Sequence, residues 1–198
     1  SQTPDRAAVV QQLHLDPARR TILIASGGMG VGPIEALVMR LLPLEFEQAG
    51  AWQVVVICGQ NRRLAERLQQ RCAGLPSKEG AMMPLRVEGF VETMPAYMRA
   101  ADLLITKPGG LTVMEALAME LPMLLFGAIP GQEEFNARYA VSHGAARWAR
   151  AFPDTVAAAT RLMAHPQELQ QMQRSAAAIG KPDAVFRGEI AELADAGG

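Results

Sequence analysis

The fold of this chain is decided by the stretch 102–120, which reads DLLITKPGGLTVMEALAME. Leu103 to Thr106 form a short apolar run of the kind found in strands that are buried on both faces of a parallel sheet. A proline and two glycines then interrupt the run, and apolar residues recur at helical spacing from Leu111 onward. The pattern predicts a buried strand, a bare glycine turn and a helix whose N-terminus opens at that turn.

The predicted turn is a candidate anion site. Unpaired N–H groups and the dipole at a helix N-terminus favour a group such as phosphate. Glu115 lies about one turn further along the helix, where its carboxylate could accept hydrogen bonds from both hydroxyls of a ribose. A second interpretation stays open, because Thr112 and Glu115 also have the spacing of a capping box, in which they would only satisfy each other's backbone donors.

Composition narrows the class of protein. The 198 residues suit one domain or two small ones, and 49% hydrophobic and 20% charged residues are typical of a globular chain. The net charge of -1 argues against a nucleic-acid binder. Cys58 and Cys72 lack metal-ligand spacing, so we expect neither structural zinc nor a disulfide framework, and we expect a cytoplasmic location.

Apolar runs and helical patterns alternate along the rest of the chain. Strands are predicted at 21–25, 52–57, 85–90, 103–106, 123–126 and 145–149, and helices at about 34–48, 62–72, 94–99, 132–142, after 110 and from 152 onward. This order predicts an α/β fold, a Rossmann-like doubly wound parallel sheet of about six strands with helices on both faces. Residues 1–20 read as a lead-in or linker, 21–150 as the ligand-binding α/β domain, and 151–198 as C-terminal helices of the same domain. Ligands of such sheets bind beyond the carboxyl ends of the strands.

The first glycine loop, GGMGVGP at 27–33, departs from two phosphate-binding motifs. Gly28-Met29-Gly30 begins a GxGxxG, but Pro33 ends it and no acid follows the second strand, so a dinucleotide cofactor is disfavoured. Pro33 also replaces the lysine of a P-loop, which disfavours nucleoside triphosphate hydrolysis. We therefore expect no cofactor. The loop either approaches a ligand closely or is a tight turn without one.

A third polar cluster, GQEEFN at 131–136, follows a predicted strand and opens a helix. Gln132 and Glu133 can point into the same crevice as Glu115, and amide and carboxylate groups suit the hydroxyls of a sugar. Alternatively, the acids only favour the helix N-terminus, as we expect for Glu134. Lys107 could contact phosphate too, although an exposed cation more often only interacts with water.

Taken together, these stretches resemble the carboxyl-terminal, donor-binding half of a GT-B glycosyltransferase. The group in question contains monogalactosyldiacylglycerol synthases, processive diacylglycerol glucosyltransferases and the peptidoglycan GlcNAc transferase. The matching segments follow the family's order along most of the chain, at 27–33, 58–61, 87–91, 102–115 and 131–133 with Asn136. One departure is Pro108, which adds a proline where the family has small residues.

The resemblance implies a nucleoside diphosphate sugar, most simply UDP-linked, in the crevice. It places Phe90 and Val91 on the uracil, Glu115 on the ribose, and Gln132 and Glu133 on the sugar, with Asn136 in the same substrate-binding set. The residues that it places around the diphosphate are Gly28, Met29, Gly109, Gly110, Leu111 and Thr112. Helix dipole and backbone amides would then stabilise the leaving group instead of a metal.

The resemblance also implies a hexosyltransferase that acts on a lipid acceptor such as diacylglycerol. In that family an amino-terminal domain supplies the acceptor site, the membrane-facing surface and the catalytic base, and this sequence contains none of it. We therefore expect the chain to bind donor without catalysing transfer alone, in a full-length protein that is peripheral to the membrane. The catalytic residues are not identified, because none of His14, His143 and His165 has the context of a base.

Two other functions stay open. The chain could be a standalone sugar-nucleotide-binding subunit that a separate membrane partner activates. It could also be a UDP-sugar epimerase of the same fold, which would need acidic and histidine residues around the donor.

Overall fold

A computed structural model describes residues 5–25, 27, 32–42, 52–73 and 84–180. The strands in these ranges are β1 (Arg20–Ala25), β2 (Trp52–Ile57), β3 (Leu85–Glu88), β4 (Leu103–Thr106), β5 (Met123–Phe126) and β6 (Ala146–Ala149). They form one sheet in the order β3-β2-β1-β4-β5-β6, and all five pairings are parallel. The order reverses between β1 and β4, so the crevice of a doubly wound sheet lies there.

Helices connect the strands and cover both faces of the sheet. They are α1 (Arg6–Gln12), α2 (Ile34–Leu41), α3 (Arg62–Ala73), α4 (Met94–Ala100), α5 (Gly110–Ala118), α6 (Gln132–Ser142), α7 (Phe152–Ala164) and α8 (Pro166–Ile179). The predicted Rossmann-like fold of about six parallel strands is therefore confirmed.

The core follows from the alternation of side chains along the strands. Leu23 and Leu104 point to the face covered by α1, α4, α5 and α6, whereas Ile24 and Ile105 point to the face covered by α2, α3 and α7. The central strands bury side chains on both faces, which explains why they read as unbroken apolar runs.

The largest described difference from the predicted element bounds is at the end of β3, and most other ends agree to within one residue. β3 ends at Glu88, two residues earlier than predicted, because its single partner β2 ends at Ile57, which is paired with Glu88. Phe90 therefore lies in the loop that follows the strand. The helix predicted at about 34–48 is described only to Leu42, and 43–50 lie outside the described residues.

The segment that reads as a lead-in is packed on the sheet from residue 5 onward. Val9, Val10 and Leu13 are buried in the same apolar cluster as α4 and α5. Arg6 extends the contact, because its Nη2 donates to Asp102 Oδ2 at 2.8 Å, and the Thr21 N–H donates to the same oxygen at 2.8 Å. These contacts attach α1 to the amino-terminal edge of β1 and β4.

The C-terminal helices also pack on the domain. α7 buries Ala159 and Leu162 against the sheet, and α8 buries Met172 and Ala176. Gly180, directly after α8, is buried against the end of α5, where an added Cβ would overlap the Leu117 carbonyl oxygen. The end of α8 therefore packs against α5, the helix that carries Glu115, which is predicted to bind the ribose.

Candidate functional site

The predicted site residues that the structure describes lie at one edge of the sheet. Parallel strands bring their carboxyl ends together, so the loops after β1, β3, β4 and β5 meet at this edge. The turns after β1 and β4 are in contact: a Cβ built on Gly32 would lie 3.6 Å from Lys107 Cε and 3.3 Å from Phe126 Cε2. Gly32 has a φ of 134°, which also favours glycine there. Gly28 and Met29 lie outside the described residues.

The N-terminus of α5 opens directly at the turn after β4. Gly109 is the N-cap, with φ -65° and ψ 137°, and no side chain caps the helix. Helical bonding begins with the Val113 N–H, which donates to the Gly109 carbonyl at 2.9 Å. Within the described ranges the N–H groups of Gly110, Leu111 and Thr112 have no hydrogen-bond acceptor. Three unpaired donors and the helix dipole therefore face this edge.

The capping-box interpretation of Thr112 and Glu115 is wrong. A capping box needs Thr112 at the N-cap, but the helix already begins at Gly110, so Thr112 is its third residue. Glu115 is half-buried, and its carboxylate forms no hydrogen bond or ion pair with any described residue. The carboxylate is thus available to a ligand.

A second unpaired group lies at the end of β4. Thr106 is fully buried, and its Oγ1 has no hydrogen-bond partner among the described residues. Buried hydroxyls are nearly always paired, so the unpaired Thr106 hydroxyl is an unusual feature of the strand end beside the turn.

Asn136 supports the turn from the neighbouring helix. Its Nδ2 donates to the Pro108 carbonyl at 3.0 Å, and a Cβ built on Gly110 would lie 3.5 Å from the same nitrogen. The amide nitrogen of Asn136 is therefore used within the protein, and the structure brings Asn136 together with the glycine turn. The same hydrogen bond satisfies the carbonyl of Pro108, the residue at which this turn departs from the family's small residues.

The start of α6 presents two polar side chains with different surroundings. Gly131 is the N-cap with φ 103°, and Gln132, the first helical residue, is exposed. Glu133 is half-buried, and its Oε2 accepts a hydrogen bond from the Ile129 N–H at 2.9 Å. Glu133 therefore holds the loop after β5, while Gln132 extends from the sheet edge without a partner in the described part of the chain.

An exposed aromatic residue lies at the far end of the same edge. Phe90 is 64% exposed, whereas Val91 packs against the apolar cluster under α4. Leu111, Ile129 and Phe135 are also large and exposed, at 74%, 64% and 41%. No hydrogen bond, ion pair or ring contact in the described ranges joins Phe90 or Gln132 to the α5 turn. The described residues of the edge thus lie along it without side-chain bonds between its two ends.

A cavity of about 240 Å³ lies beside this turn. Lys107, Gly32, Phe126, Arg150 and Phe152 line it, together with the first residues of α2 and α7. The sequence singles out Lys107 and the glycine loop that contains Gly32, but the residues from β5, β6 and α7 lie too far away along the chain to be grouped with them by spacing. The sequence feature that these residues share is their position, at the end of a strand or in the segment that follows one.

In the described part of the chain, two histidines and a buried cysteine lie in structural surroundings. Nδ1 of His143 lies 2.9 Å from the Tyr139 carbonyl oxygen, and Nδ1 of His165 lies 2.8 Å from that of Arg161, so both rings close helix ends. Burial raises the pKa of the Cys58 thiol to about 11, which keeps it protonated at neutral pH.

The described ranges contain neither a cluster of metal-ligating side chains nor a membrane-spanning helix. No group of three or more His, Cys, Asp or Glu side chains there could hold a metal ion. None of the described helices is both long and apolar enough to cross a bilayer.

A family comparison identifies the chain. Residues 21–187 match the model of the glycosyltransferase family 28 C-terminal domain. The chain belongs to this family. The match begins at the second residue of β1 and includes the other five strands and every predicted site residue, and it confirms the predicted resemblance to the C-terminal half of a glycosyltransferase.

Plant galactolipid synthases are among the relatives of this family 28 domain. It is 35% identical over 182 residues to a probable monogalactosyldiacylglycerol synthase of Glycine max, and 33% identical over 182 residues to monogalactosyldiacylglycerol synthase 1 of Arabidopsis thaliana. Each alignment covers 89% of this chain, but only 33% and 32% of the respective relative. The family 28 domain thus spans about a third of the length of these relatives.

Solved structures share the fold. MurG of Acinetobacter baumannii matches with a TM-score of 0.69 and 23% identity, over 98% of this chain and 54% of MurG. WaaG, described as a lipopolysaccharide glycosyltransferase, matches with a TM-score of 0.68 and 18% identity, over 100% of this chain and 52% of WaaG. Anabaena Alr3699/HepE, solved with UDP and glucose, gives a TM-score of 0.67 at 16% identity, over 99% of this chain and 53% of HepE.

Proposed function

We propose that this chain binds the UDP-sugar donor of a glycosyltransferase that moves a hexose to a lipid hydroxyl, such as that of diacylglycerol. One observation carries the proposal. The N-terminus of α5 presents three unpaired N–H groups at the switch point of the sheet, and the carboxylate of Glu115 lies about one turn further along without a partner in the described part of the chain. An anion and a diol at this spacing are what a nucleoside diphosphate provides.

Each part of the donor has a matching group along the edge. The diphosphate would accept hydrogen bonds from the N–H groups of residues 110–112, and the helix dipole would favour its charge. The ribose hydroxyls would donate to Glu115, and the exposed ring of Phe90 offers a stacking surface for the uracil. Gln132 and Glu133 would contact the sugar. Glu133 already accepts a hydrogen bond from the Ile129 N–H, whereas the side chain of Gln132 has no partner among the described residues.

The preorganised turn would also assist the departure of UDP. Charge develops on the diphosphate as the sugar leaves, and fixed N–H donors stabilise such charge without reorganisation. Asn136 would be a positioning residue in this account, because its bond to the Pro108 carbonyl fixes the turn that carries the donors.

The relatives support the finer assignment. HepE was solved with UDP and with UDP-glucose, and the plant relatives are named for the synthesis of monogalactosyldiacylglycerol. The lipid acceptor rests on those names, and we infer that the remaining two-thirds of such a protein, or a separate partner chain, supplies the acceptor site.

Calorimetric titration of the purified chain with UDP, UDP-glucose, UDP-galactose, UDP-GlcNAc, ADP and NAD tests the proposal. We expect the uridine nucleotides to bind at least about tenfold more tightly than ADP or NAD, a difference of about 1.4 kcal/mol. ADP is the matched control, because it keeps the ribose and diphosphate and changes only the base. A folded chain that binds no uridine nucleotide, or that prefers NAD, would contradict the proposal.

A further inference from the structure

A lysine side chain with no ionic partner among the described residues lines the cavity beside the α5 turn. Lys107 directly follows β4, is half-buried, and extends its methylene chain over Gly32 toward the cavity of about 240 Å³. None of the described residues that line this cavity is an acid. Within the described ranges the Lys107 ammonium forms no ion pair or hydrogen bond. Partly buried charges are normally paired, so this position indicates an anion from outside the chain.

The other cation lining the cavity is already engaged. The guanidinium carbon of Arg150 lies 4.2 Å from the ring centroid of Trp148, a cation–π contact. Lys107 is therefore the group that best fits an incoming anion. The helices α2 and α7 also begin at this cavity, and their dipoles add to a positive potential there.

Lys107 lies on the same tight turn as the α5 donors. The Gly109 N–H donates to the Lys107 carbonyl at 2.9 Å, so the turn folds back within three residues before the helix begins. Two linked phosphates are the kind of anion that could reach both the α5 N–H groups and the side chain of Lys107.

We propose that Lys107 binds the distal phosphate of the donor's diphosphate and sets the preference of the site for a nucleoside diphosphate over a monophosphate. This assignment rests on the proposed function, because it needs the nucleotide to lie along the same edge. It chooses between the two interpretations of Lys107 that the sequence left open, a phosphate contact and a solvated cation. A lysine suits the role as a point charge that binds phosphate without a fixed geometry.

The test compares UDP with UMP in calorimetric titrations of the full chain and of Lys107→Gln and Lys107→Arg. Lys107→Gln is expected to weaken UDP binding by about tenfold or more and UMP binding by less than about threefold, because a charge-assisted bond to the distal phosphate is lost. Lys107→Arg keeps the charge and is expected to retain most of the preference for UDP. Arg138→Gln removes an exposed charge from α6 and serves as the matched control.

The outcomes separate the two proposals. If the unaltered chain binds no UDP, the proposed function fails, and the role of Lys107 fails with it. If the chain binds UDP and Lys107→Gln weakens UDP and UMP equally, or has no more effect than Arg138→Gln, only the assignment of Lys107 is overturned. Thermal melts of each variant identify any loss of affinity that comes from unfolding.

Discussion

Replacement of Glu115 by alanine is expected to weaken UDP binding by about 10- to 100-fold. Hydrogen bonds to a charged group contribute about 1.5–3 kcal/mol, and the half-buried carboxylate has no described partner that could redirect it. The fold should be unaffected, because Glu115 forms no side-chain bond in the described part of the protein. Calorimetry with UDP measures the loss.

Removal of the ribose hydroxyls shows whether the loss comes from the contact proposed. With 2′,3′-dideoxy-UDP the unaltered chain should bind as weakly as Glu115→Ala binds UDP, and the substitution should then have little further effect. Glu134→Ala, which removes a carboxylate from α6, is the matched control. An equal loss for UDP and its dideoxy form would indicate a general electrostatic effect and would contradict the assignment to the ribose.

Replacement of Gly180 by alanine is expected to lower the free energy of unfolding by about 1–3 kcal/mol, the usual cost of overpacking. The added Cβ would overlap the carbonyl oxygen of Leu117, a backbone atom that cannot rotate away. The end of α8 must then move away from α5 at Leu117, which is two residues after Glu115. Urea denaturation followed by circular dichroism measures the change.

Gly89→Ala is the matched control for this substitution. Its Cβ would meet only the Gly59 carbonyl oxygen at 3.9 Å, an ordinary contact, so we expect a change within about 0.5 kcal/mol. Equal stability of Gly180→Ala and the unaltered chain would mean that α8 is not closely packed on α5, and that the C-terminal helices are not part of the same folding unit.

The unit from β4 to α5 is predictable from the sequence because the information in it is local. A short apolar run, two glycines and helical spacing specify a buried strand, a turn and a helix wherever the unit lies in the fold. The doubly wound sheet is also predictable from the sequence, because βαβ crossovers are almost always right-handed. The last residue of the edge strand β3 is harder to predict from the sequence, because the strand ends at Glu88, where its partner β2 ends.

The details of the site depend on tertiary placement. The choice of Gly109 over Thr112 as the N-cap is set by the backbone leaving β4, which residue type alone does not determine. The bonds from Asn136 to Pro108 and from Ile129 to Glu133 give two predicted ligand residues a structural partner, and they form only when α6 lies beside α5. The ligand roles assigned from the resemblance remain predictions.

The central claim is that the donor lies along the carboxyl edge with its diphosphate at the start of α5. Titration of the isotopically labelled chain with UDP, followed by two-dimensional NMR of the backbone amides, tests it most directly. We predict that the largest shifts occur at Gly109, Gly110, Leu111 and Thr112, and that Thr21 and Asp102 at the opposite edge do not move. Saturable UDP binding that shifts the opposite edge and leaves the α5 turn unchanged would contradict the account.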